Sequence, residues 1–371
     1  MPAFSLLHRA LTPVLHVLLG QADIRANARA GTLGRRTRRI PRIRPRPAIV
    51  EALEPLQLLS SDALTLHTGY ICLCPTDANV VQVYASTTAT GTPEHSYTRS
   101  DLTSLIIHGT TGDDTLTIDY SHGTPLKDDV LTYYAGLGHD TLNLIGRATI
   151  RATINPSPTA ARRGSVNAYF QTFAYAGVEA ISASNFSAVT LVTPNLGDTI
   201  TLNRTTAGVA GISGSSGSVD VPAISIAADI PKVVLDLATN NAANATNAVF
   251  LTGSHDPTSF SYAYTCIDFG SGSNTFTSSA TQATVQLTGP AIAAIVSPTT
   301  VSAVAELDFV THQTLNSLTL DGTAKVKMAA ETLRELHLNS LTLPSTASLD
   351  LNASTLILDY DPQGTNPSGT I

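Results

Sequence analysis

Two short stretches carry residue types that could hold a cation. They are Gly109-Thr-Thr-Gly112-Asp-Asp114-Thr-Leu116-Thr and Ala135-Gly136-Leu-Gly138-His-Asp140-Thr-Leu142-Asn. The first fits G-x-x-G-x-D-x-U-x, with U apolar, and the second repeats it with Ala135 in the first glycine place. Glycines let the backbone turn tightly, the aspartate offers oxygen to a hard cation, and the apolar residue starts a strand. Asp114 and Asp140 are therefore the candidate calcium ligands. Calcium takes six to eight oxygens, and one aspartate per turn supplies few of them. The same residues serve equally well as turn caps, their carboxylates accepting backbone N–H groups, and this is the preferred reading.

The pattern resembles the nonapeptide of calcium-binding β-rolls, in which the copies stand in tandem; here they are a full coil apart. Weaker echoes lie at Leu196-Gly197-Asp198-Thr199-Ile200 and Gly270-Ser-Gly272-Ser-Asn274-Thr-Phe276. Candidate acids for glycoside chemistry also exist, the pairs Asp113-Asp114 and Asp128-Asp129 and the run Gly138-His139-Asp140. An inverting glycosidase needs two carboxylates flanking a bound sugar, and no Arg or Lys stands among these acids to hold a uronate. A polysaccharide-degrading β-helix enzyme is the catalytic alternative, and the expectation is no catalysis. The ten histidines are scattered, without the i, i+4 spacing of a helical metal site. Three cysteines cannot make a disulfide framework, and Cys72-Leu-Cys74 is neither a zinc nor a redox spacing.

The elements that would position these turns are legible near the C-terminus. Asn316-Ser-Leu-Thr-Leu320 recurs at Asn339-Ser-Leu-Thr-Leu343, and Thr323-Ala324 recurs at Thr346-Ala347. Self-similarity at this period marks a solenoid. Within each copy apolar residues alternate with polar ones (Leu318 and Leu320, Val326 and Met328, Leu341 and Leu343), which is the period of a strand with one buried face. Short apolar runs divided by Thr, Gly, Pro and Asn clusters continue back to Ala63. The fold class is all-β, a parallel β-helix or β-solenoid of ten to thirteen coils. The helix-forming run Ala330–Leu338 lies inside the repeat and is expected as strand; 213–218 (SGSSGS) and Asn240–Asn247 are expected as loops.

Charge divides the chain. Residues 1–47 hold ten of the 21 Lys and Arg and a single acid, +9, while the remainder is −16. An acidic body argues against nucleic acid as partner. Phe4–Gly20 is broken by His8, Arg9 and His16 and is no transmembrane segment. The organisation expected is a basic, disordered or weakly helical N-terminal targeting tail over 1–60 and a solenoid domain over 61–371.

Two resemblances refine this. Ala52-Leu-Glu-Pro-Leu56-Gln-Leu-Leu-Ser60 resembles the LEPR-XLL element that follows a basic stretch in large planctomycete surface proteins, with Leu56 where the family has Arg. The block from Leu105 through Tyr134–Leu144 to Phe173–Ile181 is similar to the repeats of planctomycete β-strand-repeat proteins, and 354–371 to the segment closing their solenoid. The resemblance implies export to the cell surface or the extracellular space. The expected function is structural or adhesive, with extracellular polysaccharide or cell-envelope components as partners.

Overall fold

Alternation of apolar and polar residues carries the chain back and forth between two sheets. The computed structural model describes residues 60–204, 209–240, 245–253, 264–281, 283–289, 291–296, 305–330 and 333–359. The basic tail, the LEPR-XLL-like element up to residue 59, the segment from 360 onward and residues 241–244 lie outside them. Among the described residues every regular element is a strand, and the architecture is a parallel β-solenoid. None contains a helix long and apolar enough to cross a membrane.

The chain runs Leu102–His108 in a 13-stranded first sheet, Thr115–Asp119 in a 15-stranded second sheet, then Leu131–Tyr134 and Thr141–Ile145 in the same two. Each strand pairs in parallel with its counterpart one coil away, Leu105 beside Leu131 and Leu116 beside Leu142. Side chains of period two then fill the space between the sheets: Leu105, Ile107, Leu116, Ile118, Leu131 and Tyr133 are all fully buried. Burying each such side chain is worth roughly 1.5–3 kcal/mol, against the conformational entropy that ordering costs. The 23-residue sequence repeat is one coil, with Leu318 paired to Leu341 and Val326 to Leu349.

Two antiparallel detours interrupt this winding. In the first sheet Arg151–Pro156, Arg163–Ala168 and Gln171–Ala176 form a meander between Leu131–Tyr134 and Ala188–Val192. In the second, Asp198–Arg204, Ala210–Ser216 and Ala223–Ile226 do the same between Thr246–Gly253 and Ala180–Ser184. Each meander adds two strands to its sheet. At about 4.8 Å per strand, one alone would slip the sheets by about 10 Å and break the inward packing. The second meander follows within one coil and restores the register. The expectation of a loop at 213–218 is thereby corrected: Ser213–Ser216 belong to strand Ala210–Ser216, paired on both sides. Their small side chains suit a strand crossed closely by two neighbours.

At the N-terminal end the second sheet extends beyond the first through Asp77–Tyr84 and His95–Thr98. Val81 and Val83 cover the core there, and the Tyr97 hydroxyl donates to Asp62 Oδ2 at 2.6 Å. Toward the C-terminus a third sheet of Gln313–Leu315, Glu335–Leu338 and Thr355–Leu358 opens the coil from two sides to three. Glu335–Leu338 is a strand despite its helix-forming residues, because Leu336 and Leu338 fill the core in alternation.

Candidate functional site

The turns from the first sheet into the second place the acids of the glycine motifs one above another. Asp114 is fully buried, its carboxylate accepting from Thr110 N–H and from Thr110 Oγ1 at 2.9 Å, with His67 Nδ1 at 2.7 Å. Asp114 N–H in turn donates to Asp140 Oδ1 at 2.8 Å, and Asp140 N–H to Glu179 Oε2 at 2.6 Å. Glu179 closes the run with an ion pair to Arg162 at 2.9 Å. The result is a ladder in which each acid caps the coil before it, with an imidazole at one end and a guanidinium at the other. Farther along, Asp198 N–H donates to Asn247 Oδ1 at 3.1 Å, and Asn247 Nδ2 to Asn274 Oδ1 at 2.9 Å. Both weaker sequence echoes, at Asp198 and Asn274, therefore land in this corner. Glu179 and Asn247 were not picked out by the motif; the signal for Glu179 was Gly177-Val-Glu179-Ala-Ile181, the same pattern with a longer acid.

The turns stack so closely that glycine is required sterically. A Cβ on Gly138 would come within 2.6 Å of the Gly112 carbonyl oxygen, and one on Gly109 or Gly136 would overlap the Ala135 or Thr110 carbonyl. This accounts for the glycine spacing without a cation. Asp140 is the odd member: it is 0% exposed, and its Oδ2 has no hydrogen-bond partner. Burial, then the charges of Glu179, Asp114 and Asp113, hold its carboxyl above the usual range, opposed by the bond from Asp114 N–H. The corner thus leaves two carboxylate oxygens of the described residues without a hydrogen-bond partner, Asp140 Oδ2 and Asp198 Oδ1, at the starts of different strands. Among the described residues no three or more His, Cys, Asp or Glu are grouped to hold a metal.

The other acid pairs also serve the backbone. Asp113 Oδ1 accepts from His139 N–H at 2.8 Å, and Asp128 Oδ1 from Thr172 N–H at 2.6 Å. The cysteines are free; burial pushes the Cys72 thiol up to about 11, away from reactivity at neutral pH.

The outward face of the second sheet is built differently. Register aligns Thr117, Asn143, Ser182, Ser225, Gly211 and Asn203 in one row across six strands. Ser182 Oγ donates to Asn143 Oδ1 at 2.6 Å. Where the row crosses the antiparallel meander, Ala180, Ala223 and Gly211 leave a shallow depression of about 380 Å³, edged by Ser182, Ser213, Ser225 and Asn203. None of its lining side chains titrates. No protein-family model, curated protein or solved structure matches this chain.

Proposed function

We propose that this chain is an exported, cell-surface solenoid that works without catalysis, as an adhesive scaffold gripping extracellular polysaccharide or another cell-envelope component. The observation that carries the reading is the accessible part of the row from Thr117 to Asn203: Asn143, Ser182, Ser225 and Asn203, amides and hydroxyls interrupted by Gly211 at the depression. Such a row matches the repeated hydroxyls of a glycan chain, and rigid strands hold it at little entropic cost on binding. The acids lend no support to a hydrolase, since Asp113, Asp114 and Asp128 are engaged in capping turns. Export is supported by the basic tail and the LEPR-XLL-like element.

Two measurements test this. In co-sedimentation with insoluble cell-envelope polysaccharide, Ser225→Met, which fills the depression with bulk but neither charge nor ring, is expected to weaken binding at least about fivefold, roughly 1 kcal/mol. Ser225 faces solvent, so the fold is retained. Unchanged binding would move the contact elsewhere, and no binding by the parent protein would end the adhesive reading. In fractionated native cells the protein is expected outside the cytoplasm with a new N-terminus near Ser60; recovery in the cytosol with Arg35–Arg46 intact would refute export.

A further inference from the structure

The meander inserted into the first sheet carries a surface unlike the rest of the molecule. Between Thr141 and Val178 the chain has four arginines and no Asp or Glu, within an otherwise acidic body. Register places two of them on the outward face. Arg163 pairs with Ala176, Ala176 with Tyr134, and Tyr134 with His108. The His108 and Tyr134 rings stack at 5.3 Å with 14° between planes, and Tyr134 is 46% exposed. Arg151 opens the adjacent strand at the other end of the face, level with the turn that joins Arg163–Ala168 to Gln171–Ala176. Neither Arg151 nor Arg163 has an ion-pair partner among the described residues, whereas Arg162 is held by Glu179.

That turn is unusual among those of the described residues, with two adjacent non-glycine residues at positive φ. Its two residues, Tyr169 and Phe170, have φ of 52° and 62°, the left-handed conformation that bulky side chains avoid and that Asn-Gly normally fills in a two-residue hairpin. Phe170 is 90% exposed, and the two rings lie 5.9 Å apart. Strain held at an exposed aromatic tip points to a use for the tip. Between it and the Tyr134 row, about 20 Å away along the strands, the outward positions are Thr132, Ala174 and Ser165, then Thr172, Asn167 and Thr153. Near the tip the Asp128 carboxylate accepts the Thr172 N–H.

We infer that this face binds an acidic polysaccharide strand. Arginines at opposite ends hold carboxylate or sulfate groups through charge-assisted bonds. The exposed rings of Tyr134, Tyr169 and Phe170 offer apolar surface to sugar rings at both ends, and the hydroxyls and amide between them bond the strand's hydroxyls. A lipid surface fits less well, because the middle of the face is polar. The inference rests on the scaffold reading in that both make the solenoid a glycan binder, but it names a different sheet and an anionic partner.

The test is binding of polygalacturonate by isothermal titration to the parent protein and two double variants. Arg151→Ala/Arg163→Ala is expected to weaken binding at least about tenfold, as loss of charge-assisted bonds does. Tyr169→Asn/Phe170→Gly is expected to weaken it by a similar factor while raising the melting temperature, since the new residues suit the turn. That second result separates loss of a contact from loss of fold. Polygalacturonate binding unchanged in both variants would overturn the inference. So would binding to phosphatidylglycerol vesicles with none to polygalacturonate. Binding of neutral envelope polysaccharide that depends on Ser225, without polygalacturonate binding, would overturn this inference and leave the scaffold reading standing; binding to no glycan would overturn both.

Discussion

Gly136→Ala is expected to be among the most damaging single substitutions in the chain, lowering stability by about 3–5 kcal/mol. Two independent costs meet at this position. Its φ of 113° lies where an L side chain is strained, and a Cβ would overlap the Thr110 carbonyl of the neighbouring coil. Backbone cannot rotate out of the way as a side chain can, so the coils must separate locally and their ladder bonds lengthen. The costs are separable by experiment. Gly91 has φ of 87° with open space around it, so Gly91→Ala reports conformational strain alone, about 1 kcal/mol. Gly109→Ala, where no left-handed φ is involved, reports overlap without conformational strain, against the Ala135 carbonyl and Asp114 Oδ2. Coils in a solenoid contact mainly their neighbours, so the damage should be local, read as amide exchange accelerated over 105–145 and little changed beyond 300. A melting temperature for Gly136→Ala within 3 °C of the parent, where about 10 °C is expected, would show that the coils are not stacked as described.

How much of this was legible in the sequence follows from the range of the forces involved. The strands were readable because alternation is local: Leu318 and Leu320, or Val326 and Met328, declare a buried face without reference to any other coil. The meanders were not, since whether Ser213–Ser216 form a loop or a strand depends on what Asp198–Thr201 and Val219–Asp220 offer as pairing partners. The hairpin at Tyr169-Phe170 was hidden for a stronger reason. Its residues disfavour the conformation they adopt, and only the pairing of the flanking strands imposes it. At the acid corner, the motif pointed to Asp114 and Asp140 as turn caps, but the capped group of Asp140 is the N–H of Asp114, on the preceding coil. A turn motif read alone has no means of showing that relation.

The second large effect has the opposite sign: Asp140→Asn is expected to stabilise the protein at neutral pH. Asp140 is enclosed, one oxygen holds the Asp114 N–H and the other has no partner. The groups facing it are the carboxylates of Glu179, Asp114 and Asp113 and the buried Tyr133 hydroxyl, which also lacks a hydrogen-bond partner; the Arg162 guanidinium is engaged by Glu179 and the His67 imidazole by Asp114. A carboxyl held above its ordinary value in the folded state binds its proton more tightly there than in the unfolded chain. Stability then falls as pH rises from the unfolded value near 3.8 through the raised folded one, and at pH 7 the full cost of the buried charge is felt. Asparagine keeps the oxygen that accepts from Asp114 N–H and replaces the unpartnered oxygen with a donor amide, without a charge. The gain at pH 7 should be about 1–2 kcal/mol, shrinking toward nothing below pH 3.5, where the parent carboxyl is protonated in both states. Urea unfolding of parent and variant at pH 3.5 and pH 7 measures it. The same pair of proteins separates the two roles available to this acid. If Asp140 caps a turn, chelator leaves the parent melting temperature unchanged and the variant is the more stable. If it ligates calcium, added calcium raises the parent's melting temperature and Asp140→Asn abolishes the rise, because neutral oxygen is the weaker ligand for a hard cation. A variant less stable than the parent at pH 7 in the presence of chelator would sink the account of Asp140 as a buried charge without a partner.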